Sequence, residues 1–90
     1  MKKSDTELSK LIDYASSSVI VGGVYSHYKN SDNKYKILHL AIIESNAEVC
    51  VVYKPQYGAK IPFVRPLSNW LEEKVIDGRK VKRFTLINGV

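Results

Sequence analysis

The sequence predicts a mainly β domain behind a single N-terminal helix, on three observations. A helix start signal stands at Ser4-Asp5-Thr6-Glu7, the apolar period changes from helical to extended after Ser18, and short β-rich runs then alternate with Gly, Pro, Asn and Asp turn signals as far as Phe84. The expected architecture is a small, strongly bent antiparallel sheet or partly open barrel of five or six strands. The chain divides into an amphipathic helix over residues 1–18 and a β domain over residues 19–90.

Ser4-Asp5-Thr6-Glu7 has the form of a capping box, in which the Ser4 hydroxyl accepts the Glu7 amide and the Glu7 carboxylate reaches back to the Ser4 amide. Leu8, Leu11, Ile12 and Ala15 follow on one apolar stripe, and Ser16-Ser17-Ser18 ends the helix. That stripe is expected to cover an open end of the domain, with pairing to a second subunit as the alternative. Gly22-Gly23 permits a bend before the strand that starts at Val24. Lys29 to Lys34 reads as a polar turn, Tyr35 to Ile43 as a long strand, Glu44 to Glu48 as the next turn, and Val49 to Tyr53 as a strand stopped by Pro55 and a Gly58 loop. Ile61 to Arg65 is an expected edge strand because Pro62 is tolerable there, and Pro66 to Glu73 one helical turn with Ser68 as its cap. Val75 to Phe84 reads as a hairpin around Asp77-Gly78, a favoured two-residue turn.

Ninety residues support one small core, for which oligomerisation is a common remedy. A single cysteine, Cys50, excludes an internal disulfide and a multi-thiolate metal site; set in Val49-Cys50-Val51-Val52, it reads as a buried, inert thiol. Met1-Lys2-Lys3 is basic, but polar residues follow where a signal peptide needs an apolar stretch, and every apolar run is short of membrane-spanning length. A cytoplasmic protein with no membrane contact is therefore expected. The net charge of +5 is concentrated late in the chain: residues 60–83 hold seven positive and three negative side chains, whereas residues 1–18 hold three of each. That end favours anionic partners, against the plainer reading of a solvated face.

One strand carries the functional suggestion. On an extended chain Tyr25, His27 and Lys29 share one side of Gly23 to Lys29, an aromatic, an imidazole and a cation in one row. Such a row suits a flat, negatively charged ligand.

Gly23-x-Tyr25-x-His27-Tyr28-Lys29, then Tyr35, Ala41, Glu44, Val51-Val52-Tyr53, Tyr57-Gly58, Val64-Arg65-Pro66, Asp77-Gly78 and Arg83-Phe84, together resemble domain-of-unknown-function family 1653 over about residues 22–85. The resemblance implies a small bacterial or phage domain with an SH3-like barrel or roll, and it implies no activity. Two departures stand out. The family's His-Ser-Glu-Thr stretch is replaced by Ile42-Ile43-Glu44-Ser45-Asn46, and the Trp that commonly precedes Val-Arg-Pro is Phe63, while Trp70 stands where the family often has Phe.

No nucleophile elbow, Gly-rich phosphate loop or zinc spacing is present, so the sequence reads as non-enzymatic, without catalytic residues, metal or cofactor. His39, within Leu38-His39-Leu40-Ala41, reads as structural; His27 has better-placed neighbours, with Glu44 as a partner to orient it if their strands pair. Arg65, Arg83 and Lys29 can contact phosphate or carboxylate oxygens while Tyr25, Tyr53, Tyr57 or Trp70 stack on a base, unless the arginines pair with Glu44, Glu72 or Glu73. Tyr28, Tyr35 and Phe84 are assigned to the core. The expected function is capture of an anionic nucleotide-type ligand, in the manner of a phage sponge for a small or cyclic nucleotide signal, with sites formed between subunits as one arrangement. The alternatives are nucleic-acid binding by the barrel face and a protein-interaction adaptor.

Overall fold

A computed structural model describes residues 3–89; Met1, Lys2 and Val90, and with them the outer ends of the two expected segments, lie outside the described residues. Helix α1 runs Asp5–Ser16 from the predicted capping box, with both reciprocal Ser4–Glu7 hydrogen bonds at 3.1 Å. Of the stripe, Ala15 is buried and Leu8, Leu11 and Ile12 are half-buried. The helix packs against β2 (Asn30–Ile43) and β3 (Glu48–Pro55), so it covers the sheet as expected.

The other elements are β1 (Val24–His27), β4 (Phe63–Pro66), the short helix α2 (Leu67–Trp70), β5 (Glu73–Ile76), β6 (Arg79–Lys82) and β7 (Phe84–Asn88). Strands β4-β3-β2-β1-β7 form one antiparallel sheet, and β5-β6 a separate hairpin. The sheet does not close: β4 and β7 are both edges, which makes the fold an open β roll with one N-terminal helix. Asp77 and Gly78, at φ 51° and 78°, form the hairpin turn the Asp-Gly pair predicts.

Four expectations are corrected. Lys29 to Lys34 is not a loop: the turn is confined to Tyr28-Lys29, and β2 begins at Asn30, whose side chain accepts the Asp32 amide in a local bulge. The hairpin ends at Lys82. Phe84 instead opens β7, which crosses to pair with β1, because the backbone amide of Arg83 is drawn to the Glu72 carbonyl and redirects the chain. Strand β3 runs to Pro55 rather than Tyr53. Finally, α2 starts after Pro66 with no side-chain cap, so Ser68 does not serve as one.

An extra residue on β2 decides which side chains face inward. Ile37 stands opposite Tyr53 and His39 opposite Val52, so Leu38 is a bulge. Tyr35 and Ile37 before it, and Leu40 after it, all reach the core, while His39 is exposed. The core comprises Val19, Tyr25, Ile37, Val51, Tyr53, Trp70 and Phe84. At its centre the Trp70 and Phe84 rings stack with centroids 3.7 Å apart and planes within 4°. Cys50 alternates with Val51 and is also buried, and burial pushes its thiol pKa up, as an inert thiol requires. Gly23 is needed for close packing: a Cβ there would meet the Ile20 carbonyl oxygen at 2.9 Å.

Candidate functional site

Strands from across the sheet converge on a solvent-open hollow of about 350 Å³ lined by His27, Tyr35, Tyr53, Tyr57, Phe63, Arg65 and Phe84. β1 ends at His27, which stands opposite Phe84 on one neighbour and Asn30 on the other. β3 places Tyr53 beside Phe63 of β4, and alternation along β4 puts Phe63 and Arg65 on one side. Tyr57 arrives from the loop after Pro55 and joins its hydroxyl to that of Tyr35 at 2.8 Å.

Arg65 is fixed without being neutralised. Its Nε donates to the Tyr53 hydroxyl at 3.3 Å, one terminal nitrogen donates to Asn69 Oδ1, and its Cζ lies 5.2 Å from the centre of the Phe84 ring. Two of the five guanidinium N–H groups are spent on neutral acceptors, so three remain. No carboxylate forms an ion pair with it among the described residues.

The His27 ring meets Phe84 edge-on, 5.1 Å between centroids. Its Nδ1 accepts the Lys29 backbone amide at 3.1 Å, so the neutral ring carries its hydrogen on Nε2. Burial, then the positive charges of Arg65, Arg83 and Lys29, hold its pKa below the ordinary value of 6.5. Tyr35 is pushed up to about 12, first by burial and then by its bond to Tyr57, so its own phenol stays uncharged.

His27 has a consequence for stability. The unfolded chain binds this proton more tightly than the folded one, so stability rises with pH from the depressed folded value up to the unfolded value. Urea midpoints should therefore increase as the pH rises toward the ordinary histidine value of 6.5, and His27→Gln should remove that part of the slope. An unchanged slope in the variant would show that His27 is not the group responsible.

Of the expected site residues, His27, Tyr53, Tyr57 and Arg65 meet here. Tyr25 and Trp70 do not: they are core residues on a second cavity of about 420 Å³, bounded also by Ser17, Ser18, Glu73 and Lys82. Tyr25 and His27 do share one side of β1, opposite Leu86 and Phe84 of β7, but Tyr25 is spent on the core, its ring edge-on to Trp70 and its hydroxyl accepting the Ile20 amide at 3.0 Å. Lys29 lies in the turn, with Nζ 6.0 Å from the centre of the Tyr28 ring. Arg83 pairs with Glu72 at 3.1 Å, and Glu72 also binds Lys74, so its carboxyl is held below the usual range by Lys74 first and Arg83 second. Arg83 acts on His27 only as a neighbouring charge. Glu44 cannot orient His27. It sits in the turn after Ile43, at the opposite end of β2 from Asn30, the residue that faces His27.

Tyr35 and Phe84, assigned to the core, prove to be both packed and lining, and Phe63 and Asn69 were not singled out as site residues. Phe63 had a legible signal in its two-residue spacing from Arg65; Asn69 had none, since it depends on how α2 follows β4. Among the described residues no group of three or more His, Cys, Asp or Glu could hold a metal ion.

Fold and site together define a small antiparallel β roll with an aromatic hollow and an un-neutralised arginine. The chain belongs to the DUF1653 family of proteins of unknown function, whose model matches residues 23–86. It is also similar to a DUF1653 protein of known crystal structure from Bordetella bronchiseptica, with 32% sequence identity, a TM-score of 0.65, and coverage of 77% of this chain and 88% of that one. No curated protein matches. Among the described residues no helix is long and apolar enough to cross a membrane.

Proposed function

We propose that the protein is a non-enzymatic binding protein that captures a small nucleotide-type anion in the hollow between His27 and Arg65. The observation that carries this reading is Arg65, a guanidinium held in place by a phenol and an amide, with three donors unspent and no carboxylate beside it. Arg65, Arg83 and Lys29 all act on His27, and among the described residues only Arg83 of the three is paired with a carboxylate, Glu72. The site is thus positive before any ligand arrives, and the rings of Tyr35, Tyr53, Tyr57 and Phe63 offer stacking surface for a base. The volume falls in the range of small-molecule pockets, roughly 300–1,000 Å³. A cytoplasmic sponge for a linear or cyclic nucleotide signal fits this chemistry.

Isothermal titration against a panel of linear and cyclic mononucleotides tests the reading. Saturable binding of at least one mononucleotide supports it, and heats at the level of dilution across the whole panel overturn it.

Nucleic-acid binding is the second reading, favoured by the β5–β6 hairpin, a separate ribbon carrying Lys74, Arg79, Lys80 and Lys82, most of it exposed. Its mark is affinity that grows with oligonucleotide length and falls steeply with salt.

A further inference from the structure

Resting on that nucleotide-capture reading, we propose that the hollow recognises a terminal, dianionic phosphate, gripped between the free N–H groups of Arg65 and His27 Nε2, and that His27 gains a proton as the phosphate enters. The two groups bracket one ring. The His27 ring centre is 5.1 Å and the Arg65 Cζ 5.2 Å from the centre of Phe84, so their separation cannot exceed the sum of those distances. A phosphate with three terminal oxygens can use donors arriving from two such directions, whereas a phosphodiester offers only two unesterified oxygens and one negative charge.

The charge inventory points the same way. The groups around His27 are Arg65 from β4, Arg83 between β6 and β7, Lys29 in the β1–β2 turn and the phenols of Tyr35, Tyr53 and Tyr57. Glu72, the nearest carboxylate to Arg83, is already engaged by Arg83 and Lys74. In the empty hollow a proton on His27 would add to the unpaired charges of Arg65 and Lys29 and to that of Arg83, which Glu72 partly offsets. A dianion reverses that balance, so the ring takes a proton only when the ligand is present. Nδ1 is the position to be protonated, since it is the acceptor of the Lys29 amide; Nε2 already carries hydrogen and keeps donating. Occupancy therefore costs the Lys29 amide its acceptor and loosens the β1–β2 turn.

The chain has two histidines, and His39 is exposed, so it serves as the reference in an NMR titration of the imidazole Cε1–Hε1 signals. Adenosine 5′-monophosphate, adenosine 3′,5′-cyclic monophosphate, inorganic phosphate and adenosine are the probes. With the 5′-monophosphate at saturation, the His27 midpoint should rise by about one pH unit or more, a tenfold or greater linkage between proton and ligand, while His39 stays put. The 5′-monophosphate should bind at least about tenfold more tightly than the cyclic ester, roughly the effect of one good charge-assisted contact. His27→Gln, which retains a neutral donor, should still bind but without proton uptake. Equal or tighter binding of the cyclic ester, or a His27 midpoint that ignores the bound 5′-monophosphate, overturns the terminal-phosphate proposal while leaving nucleotide capture standing. Failure of all four probes, with no other nucleotide binding, overturns both.

Discussion

Arg65→Ala should weaken mononucleotide binding roughly 100-fold, because hydrogen bonds to a charged group contribute about 1.5–3 kcal/mol and each 1.4 kcal/mol is tenfold in affinity. The protein should stay folded: Arg65 is only half-buried, and its contact with Phe84 is a cation–π pair of about 0.5–2 kcal/mol. Arg65→Lys separates charge from shape. It keeps the positive charge but not the planar fork that reaches Tyr53 and Asn69 together, so it should recover about tenfold at most. Titration calorimetry, with circular dichroism to verify the fold, reads both outcomes. Undiminished affinity in Arg65→Ala would place the ligand elsewhere.

Phe84→Ala should be the most damaging single change in the β roll, costing about 3–5 kcal/mol. That is a large share of the roughly 5–15 kcal/mol that stabilises a typical domain, so the variant should be extensively unfolded at 37 °C. The reason is the number of partners that depend on this ring: Trp70 stacks on it, His27, Tyr35 and Tyr53 meet it edge-on, and Arg65 lies over it. Phe84→Leu keeps most of the volume and should fold with a loss of about 1.5 kcal/mol, measurable as a lower urea midpoint. It should also bind more weakly than wild type, since the ring that holds both His27 and Arg65 is gone. Full affinity in a folded Phe84→Leu protein would show that the ring does not organise the hollow.

Local signals in the sequence were reliable where one short segment determined the outcome. The Ser4–Glu7 capping box and the Asp77-Gly78 turn form as read because their hydrogen bonds and backbone angles are satisfied within four residues. The common hollow of His27 and Arg65 depends on how β1 and β4 are brought together across the sheet and was not derivable from residue type or strand position. What escaped the sequence depends on register. Leu38 inserts one residue into β2, so Tyr35 and Ile37 before it and Leu40 after it all reach the same core. The last strand was hidden for a related reason: Thr85, Leu86 and Ile87 are good strand formers, but only pairing with β1 makes them one. Trp70, a natural candidate for stacking on a base, is instead consumed by the core, 2% exposed beneath its contacts with Phe84, Tyr25 and Tyr53.

Amide chemical-shift mapping with adenosine 5′-monophosphate addresses the location of capture most directly. Capture in the hollow predicts perturbations concentrated at His27 to Lys29, Tyr53, Tyr57, Phe63 to Arg65 and Phe84, saturating together. Perturbations confined to the β5–β6 ribbon, or to the cavity beside Trp70, with the amides around His27 and Arg65 unmoved, would contradict it.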